Sequence, residues 1–150
     1  MSSTAVFPGS FDPFTIGHES IVKRALPLFD KIIIAIGVNA DKTGFFSLEK
    51  RMQWIQDLYK KESKIKVDSY QGLTIDYCKK NNAHFILRGL RTSADFEFVR
   101  AIAQMNREMS PAIETIFLVS EPKHCAINSS IIRDIIRNGG DASQFIPFKI

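Results

Sequence analysis

Five short runs of β-branched and aliphatic residues, separated by stretches with helical periodicity, constrain this 150-residue chain more than any other feature. They are residues 4–7 (TAVF), 31–38 (KIIIAIGV), 65–70 (IKVDSY), 84–87 (HFIL) and 113–119 (IETIFLV). The second and fifth are almost unbroken in apolar side chains, as strands covered on both faces must be. Between them, residues 47–60 begin at Ser47, a good N-cap, and repeat Met52, Ile55, Leu58 and Tyr59 on one face. Residues 92–109 carry Phe98, Ile102, Met105 and Met109, with Phe96, Val99 and Ala103 widening the apolar face beyond one stripe. Residues 130–137 carry Ile131, Ile132, Ile135 and Ile136 and stop at Asn138-Gly139-Gly140, a strong terminator. Alternation of this kind predicts an α/β fold: one domain over residues 1–150, built on an open parallel five-stranded sheet with helices on both faces.

In doubly wound, Rossmann-like sheets, ligands bind beyond the carboxyl ends of the strands, where the strand order reverses. The unusual residues of this chain fall at those ends. After the first run comes "PGSFDPFTIGHESI", too long and too rich in glycine and hydroxyls for a plain connection, with His18 in the first turn of the next helix. Lys42 follows the second run, Gly72-Leu73-Thr74 the third, and Arg88-Gly89-Leu90-Arg91 the fourth. "SEPKHCAINSS" follows the fifth and leads into a helix at Ser129-Ser130. Helix N-termini favour anions, Arg suits bidentate phosphate contacts, and Lys acts as a point charge. Taken singly, Lys42 fits an exposed turn as well as a ligand contact, and His84 reads as structural. The coincidence of five strand ends is what marks the rim as a site for a polyanionic small molecule.

Other classes are disfavoured. There is no Gly-x-x-x-x-Gly-Lys-Ser/Thr segment and no Gly-x-Gly-x-x-Gly after the first strand, and no nucleophilic triad is evident. The formal net charge is only +4, without a run of five basic residues, so nucleic acid is not an expected partner. Cys78 and Cys125 stand far apart with no metal-ligand spacing around them, and Cys78 reads as a small packing residue. No apolar run reaches the ~18 residues of a membrane span, and no signal peptide precedes the first strand, so no membrane association and a cytoplasmic location are expected.

"TIGH" resembles the T/H-x-G-H signature of the nucleotidyltransferase superfamily, and "INSSIIR" resembles its I-S-S-x-x-x-R signature. "PGSFDPFTIGH", "RGLRTSADFEF", "MNREM" and "GGDASQFIP", in order along the chain, are similar to the bacterial phosphopantetheine adenylyltransferases. The resemblance implies joining of ATP to 4′-phosphopantetheine, with release of pyrophosphate and formation of dephospho-coenzyme A. It places 4′-phosphopantetheine on Ser10, Lys42, Thr74 and Arg88. It places ATP on Ser10, Phe11, His18, Gly89, Leu90, Arg91, position 99 and the loop His124, Cys125, Ala126, Ile127, Asn128, Ser129 and Ser130, with His18 as transition-state stabiliser. Mg2+ and a homohexamer are implied as well, without a nameable protein ligand for the metal. Three residues depart from the family pattern: Ser10 for Thr, Asn128 for Ser, and Val99 for a Glu that contacts the nucleotide. Two other readings fit the residues: an adenylyltransferase with a different phosphate acceptor such as nicotinate mononucleotide, and a nucleotide-binding module without activity.

Overall fold

Each of the five apolar runs forms a strand in the computed structural model, which describes residues 2–150. Met1, counted in the expected domain, lies outside the described residues. The strands are β1 (Thr4–Gly9), β2 (Lys31–Gly37), β3 (Ile65–Tyr70), β4 (Phe85–Leu90) and β5 (Glu114–Val119), all parallel in the order β3-β2-β1-β4-β5. The helices are α1 (Ile16–Ala25), α2 (Leu48–Leu58), α3 (Thr74–Lys80), α4 (Ser93–Met109) and α5 (Ser129–Arg137). Strand order reverses between β1 and β4.

The two faces of the sheet alternate as the pleat requires. On one, Ala5, Phe7, Ile32, Ile34, Ile36 and Leu87 pack against Ile21, Val22 and Ala25 of α1 and Ile55 of α2. On the other, Val6, Ile33, Ala35 and Ile86 pack against Ile75, Tyr77 and Cys78 of α3. Phe96 of α4 meets Phe117 of β5 at a ring-centroid distance of 5.6 Å, next to α3. Ile132 of α5 forms a small cluster with Ala142 and Ile146 of the C-terminal tail. Cys78 is fully buried, and burial pushes its thiol up to about 11, which is the inert packing role expected of it.

Side chains set the helix ends. Ser47, Thr92 and Asn128 accept the N–H groups of Lys50, Asp95 and Ile131 at 3.2, 3.1 and 2.9 Å. After α5, Gly139 takes φ of +78°, which lets the Gly139 and Gly140 N–H groups reach back to Ile136 and Ile135.

Three features differ from expectation. β4 begins at Phe85 and runs on to Leu90, leaving His84 exposed before it. The seven-residue α3 was not anticipated: its N-cap, Leu73, offers no side-chain acceptor, and burial of Ile75 and Cys78 holds it instead. β1 continues through Pro8 and Gly9, although proline lacks the N–H that a central strand uses on both sides. The register resolves this. β1 pairs with β2 from Thr4 to Gly9 but with β4 only at Ala5 and Val6. From Phe7 onward β1 and β4 part company, and the parting lies at the reversal of strand order.

No helix among the described residues is long and apolar enough to cross a membrane. None of the α4 residues is buried, and Phe98, Met105 and Met109 are more than half exposed.

Candidate functional site

The parting of β1 and β4 opens into a cavity of about 550 Å³. The loop after β1 forms one wall. Phe11 sits there at φ +45°, a left-handed conformation costing roughly 1–2 kcal/mol for a residue with a side chain. Its ring pays that back by packing between Phe7 and Phe14, with centroids 5.2 and 5.4 Å away. Gly9 is needed for this arrangement, since a Cβ there would come within 2.9 Å of the Phe11 ring. The loop is tied down on both sides. Arg51, almost fully buried, donates to the Ser10 carbonyl at 2.8 Å; Arg133 donates to the Asp12 carbonyl at 2.7 Å; Ser129 donates to the Pro13 carbonyl at 2.8 Å. The Asp12 carboxylate accepts the N–H groups of Phe45 and Phe46, at 2.7 and 2.9 Å, linking this loop to the one that carries Lys42.

His18 is the third residue of α1 and half of a capping box. Its backbone N–H donates to Thr15 Oγ1, and the Thr15 N–H donates to His18 Nδ1 at 2.9 Å. That bond makes Nδ1 the acceptor, so the neutral ring carries its proton on Nε2. The imidazole is only partly exposed and lies among Phe7, Phe11 and Phe14. Burial, reinforced by the Arg91 charge, pushes its pKa down to about 4. At neutral pH it is a fixed, uncharged donor.

The cavity is otherwise cationic, with Arg88, Arg91 and Arg133 against a single carboxylate, Asp95, among its lining residues. Asp95 is committed to Arg91 at 3.1 Å, and Arg91 also donates to the Ile127 carbonyl at 3.1 Å. Burial holds the Arg88 guanidinium below its ordinary pKa, the Tyr70 phenol acting in the opposite sense, and it remains a cation at neutral pH. The N-termini of α1 and α5 flank the same space, where the first N–H groups of each helix have no intrahelical partner.

Ser10, Phe11, His18, Arg88, Gly89, Arg91, Val99, His124, Ile127, Asn128, Ser129 and Ser130 all line this cavity. Leu90, Cys125 and Ala126 do not, and Cys125 instead points its thiol at the Glu121 carbonyl. Lys42 is exposed on the loop between β2 and α2, outside the lining. Thr74 lines a smaller cavity, about 180 Å³, on the α3–α4 side of the sheet, with Ile86, Ile102 and Asn106. Pro8, Arg88 and Val99 belong to both cavities. Asp95 was not singled out from sequence, and Arg133, which closes the I-S-S-x-x-x-R resemblance, was given no site role there. Arg133 stands four residues after Ser129, so it shares the helix face that opens on the cavity, and that spacing was a readable signal.

Two kinds of comparison bear on this site. Among solved structures, the bifunctional NMN adenylyltransferase/ADP ribose pyrophosphatase of Francisella tularensis superposes with a TM-score of 0.71 at 21% identity, over 97% of this chain and 45% of that one. At that identity the likeness shows a shared fold. Sequence goes further. Residues 6–135 match the cytidylyltransferase-like family. The phosphopantetheine adenylyltransferase of Flavobacterium psychrophilum is 60% identical over 143 residues, 95% of this chain and 94% of that protein. That of Cytophaga hutchinsonii is 47% identical over the whole of both chains. With a cationic cavity at the strand reversal and likeness from end to end, this chain belongs to the cytidylyltransferase-like family and, within it, to the phosphopantetheine adenylyltransferases.

Proposed function

We propose that this chain transfers the adenylyl group of ATP to 4′-phosphopantetheine, giving dephospho-coenzyme A and pyrophosphate. The observation that carries this reading is the meeting of two cavities at Arg88, one holding His18 and two helix N-termini, the other holding Thr74. A donor and an acceptor of a phosphoryl-centred group need such adjoining spaces with cationic walls.

In this reading the nucleotide occupies the larger cavity, against Ser10, Phe11, His18, Gly89, Arg91 and the 124–130 loop. The acceptor phosphate lies at Arg88 and Thr74. Lys42, on the loop whose Phe45 and Phe46 amides Asp12 holds, is assigned to the same phosphate by the resemblance. A phosphate monoester is already anionic at neutral pH and attacks the α-phosphorus without a protein base. The cavity matches that need, because its single carboxylate is occupied by Arg91. The protein supplies in-line positioning and charge stabilisation. His18 Nε2–H donates to the α-phosphoryl oxygens as charge builds there. Arg91 and the α5 N-terminus hold the β,γ end and the departing pyrophosphate. Magnesium, implied by the resemblance, has no protein ligand set among the described residues: Asp95 is ion-paired, and no cluster of three His, Cys, Asp or Glu is present. It would enter on phosphate oxygens and water and neutralise their charge.

The exposed α4 stripe of Phe98, Ile102, Met105 and Met109 supports a homo-oligomer, six chains in the reading carried over from the resemblance. A cytoplasmic place of action fits ATP as substrate. Mass measurement by light scattering at micromolar concentration should return six chains, and a monomer would overturn the assembly. The activity itself is tested by mixing the protein with ATP and 4′-phosphopantetheine and following dephospho-coenzyme A and pyrophosphate. Product from nicotinate mononucleotide but not from 4′-phosphopantetheine would refute the reading.

A further inference from the structure

Tyr70 ends β3 at the same rim, and its side chain does not stay on its own strand. Its ring lies across Gly37, its partner on β2: a Cβ at Gly37 would stand 3.4 Å from Tyr70 Oη and 3.5 Å from Cζ. The phenol thus reaches over β2 toward the parting of β1 and β4. There its oxygen comes within 2.8 Å of Thr74 Oγ1. Tyr77 backs the ring at a centroid distance of 4.8 Å and an interplanar angle of 29°. The Tyr77 hydroxyl is itself held by Asp68 at 2.5 Å. Tyr70 therefore stands on a braced support. Thr74 and Arg88 line the smaller cavity, whereas Tyr70 lies behind them.

We propose that Tyr70 is a positioning residue for the acceptor pocket: its hydroxyl donates to Thr74 Oγ1 and leaves the Thr74 proton to point into the cavity. The inference rests on the reading of Thr74 and Arg88 as contacts of the acceptor phosphate. A threonine hydroxyl has one proton and two acceptor lone pairs, and a phenol is the stronger donor of the two groups. With the phenol donating, the Thr74 proton is free for an anionic oxygen, and the chain of two bonds strengthens the outer one. Without it, the Thr74 hydroxyl turns freely and is as ready to present a lone pair, which repels phosphate.

Steady-state kinetics of Tyr70→Phe, Thr74→Val and the double variant of the full chain test this. Phenylalanine keeps the stacking on Tyr77, so the melting temperature should stay near that of the parent. Tyr70→Phe should raise KM for 4′-phosphopantetheine roughly three- to tenfold, the size of one neutral hydrogen bond, with kcat and the KM for ATP within about twofold. In the Thr74→Val background the same change should add nothing. An unchanged acceptor KM in Tyr70→Phe, or additive effects in the double variant, would overturn the role of Tyr70 while leaving the pocket assignment intact. If Thr74→Val and Arg88→Ala both leave acceptor KM unchanged, the pocket assignment falls and Tyr70 with it.

Discussion

Replacing His18 with Gln removes a titrating group but keeps a side chain that can close the capping box, since Gln is a natural partner at the third helical position. The parent carries an imidazole held at about 4 by burial and by Arg91, against the ordinary 6.5 of a solvated histidine. Between those values the ring is neutral in the fold and protonated in the unfolded chain. The unfolded state therefore binds more protons, and stability falls as pH drops. The contribution is complete above about pH 6.5 and shrinks toward pH 4. The two values put the loss between pH 7.5 and pH 5 at about 2 kcal/mol, and screening through the cavity mouth brings it to about 1–2 kcal/mol. For a chain of this length that is about 2–8 °C in melting temperature. Other groups titrate alike in both proteins, so the test is the difference: parent and His18→Gln unfolded thermally at pH 7.5 and pH 5, the parent losing more by that margin. Equal losses would mean that the imidazole is not desolvated in the fold and that its pKa is not depressed.

His18→Ala should lower kcat by about 10²–10³ while ATP binding, read by calorimetry, changes little, and retention of most of the turnover would remove His18 from the chemistry. Arg88→Ala and Lys42→Ala should each raise KM for 4′-phosphopantetheine more than for ATP, with Lys42→Ala also lowering kcat; equal effects on both substrates would overturn the assignment of these residues to the acceptor phosphate. Val99→Glu should tighten ATP binding by roughly tenfold to a hundredfold, the size of a hydrogen bond that a sugar hydroxyl donates to a carboxylate, and unchanged affinity would make Val99 an ordinary packing residue.

The sheet was legible because β2 is so uniformly apolar, Ile32 to Ile36, that only burial on both faces accommodates it. The rim was legible because glycine, hydroxyl and cation recur at strand ends. What escaped has a physical reason in each case. α3 is short and has no side-chain cap, so tertiary burial rather than local pattern makes it. Pro8 reads as a turn residue because nothing local reveals that β1 and β4 separate beside it. Arg51 differs in no visible way from Lys50 next to it, yet one is buried against Ser10 and Asp12 and the other is exposed. Such pairings depend on which elements meet, and a linear pattern does not encode that.

A parallel sheet normally behaves as a wall, with nothing on one side able to touch anything on the other. Alternation puts Phe7 and Leu87 on the α1 side and Val6 and Ile86 on the α3 side, so each face has its own packing and its own cavity. Where β1 and β4 stop pairing, that wall has a doorway, and Pro8, Arg88 and Val99 are its jambs. Molecules lodged on opposite sides would meet there by the shortest route, through the layer, and neither would have to round its edge. The width of the doorway is set by where a two-residue ladder ends. The reach across it belongs to Arg88, whose place in the pleat turns it to the Ile86 side although it serves both rooms.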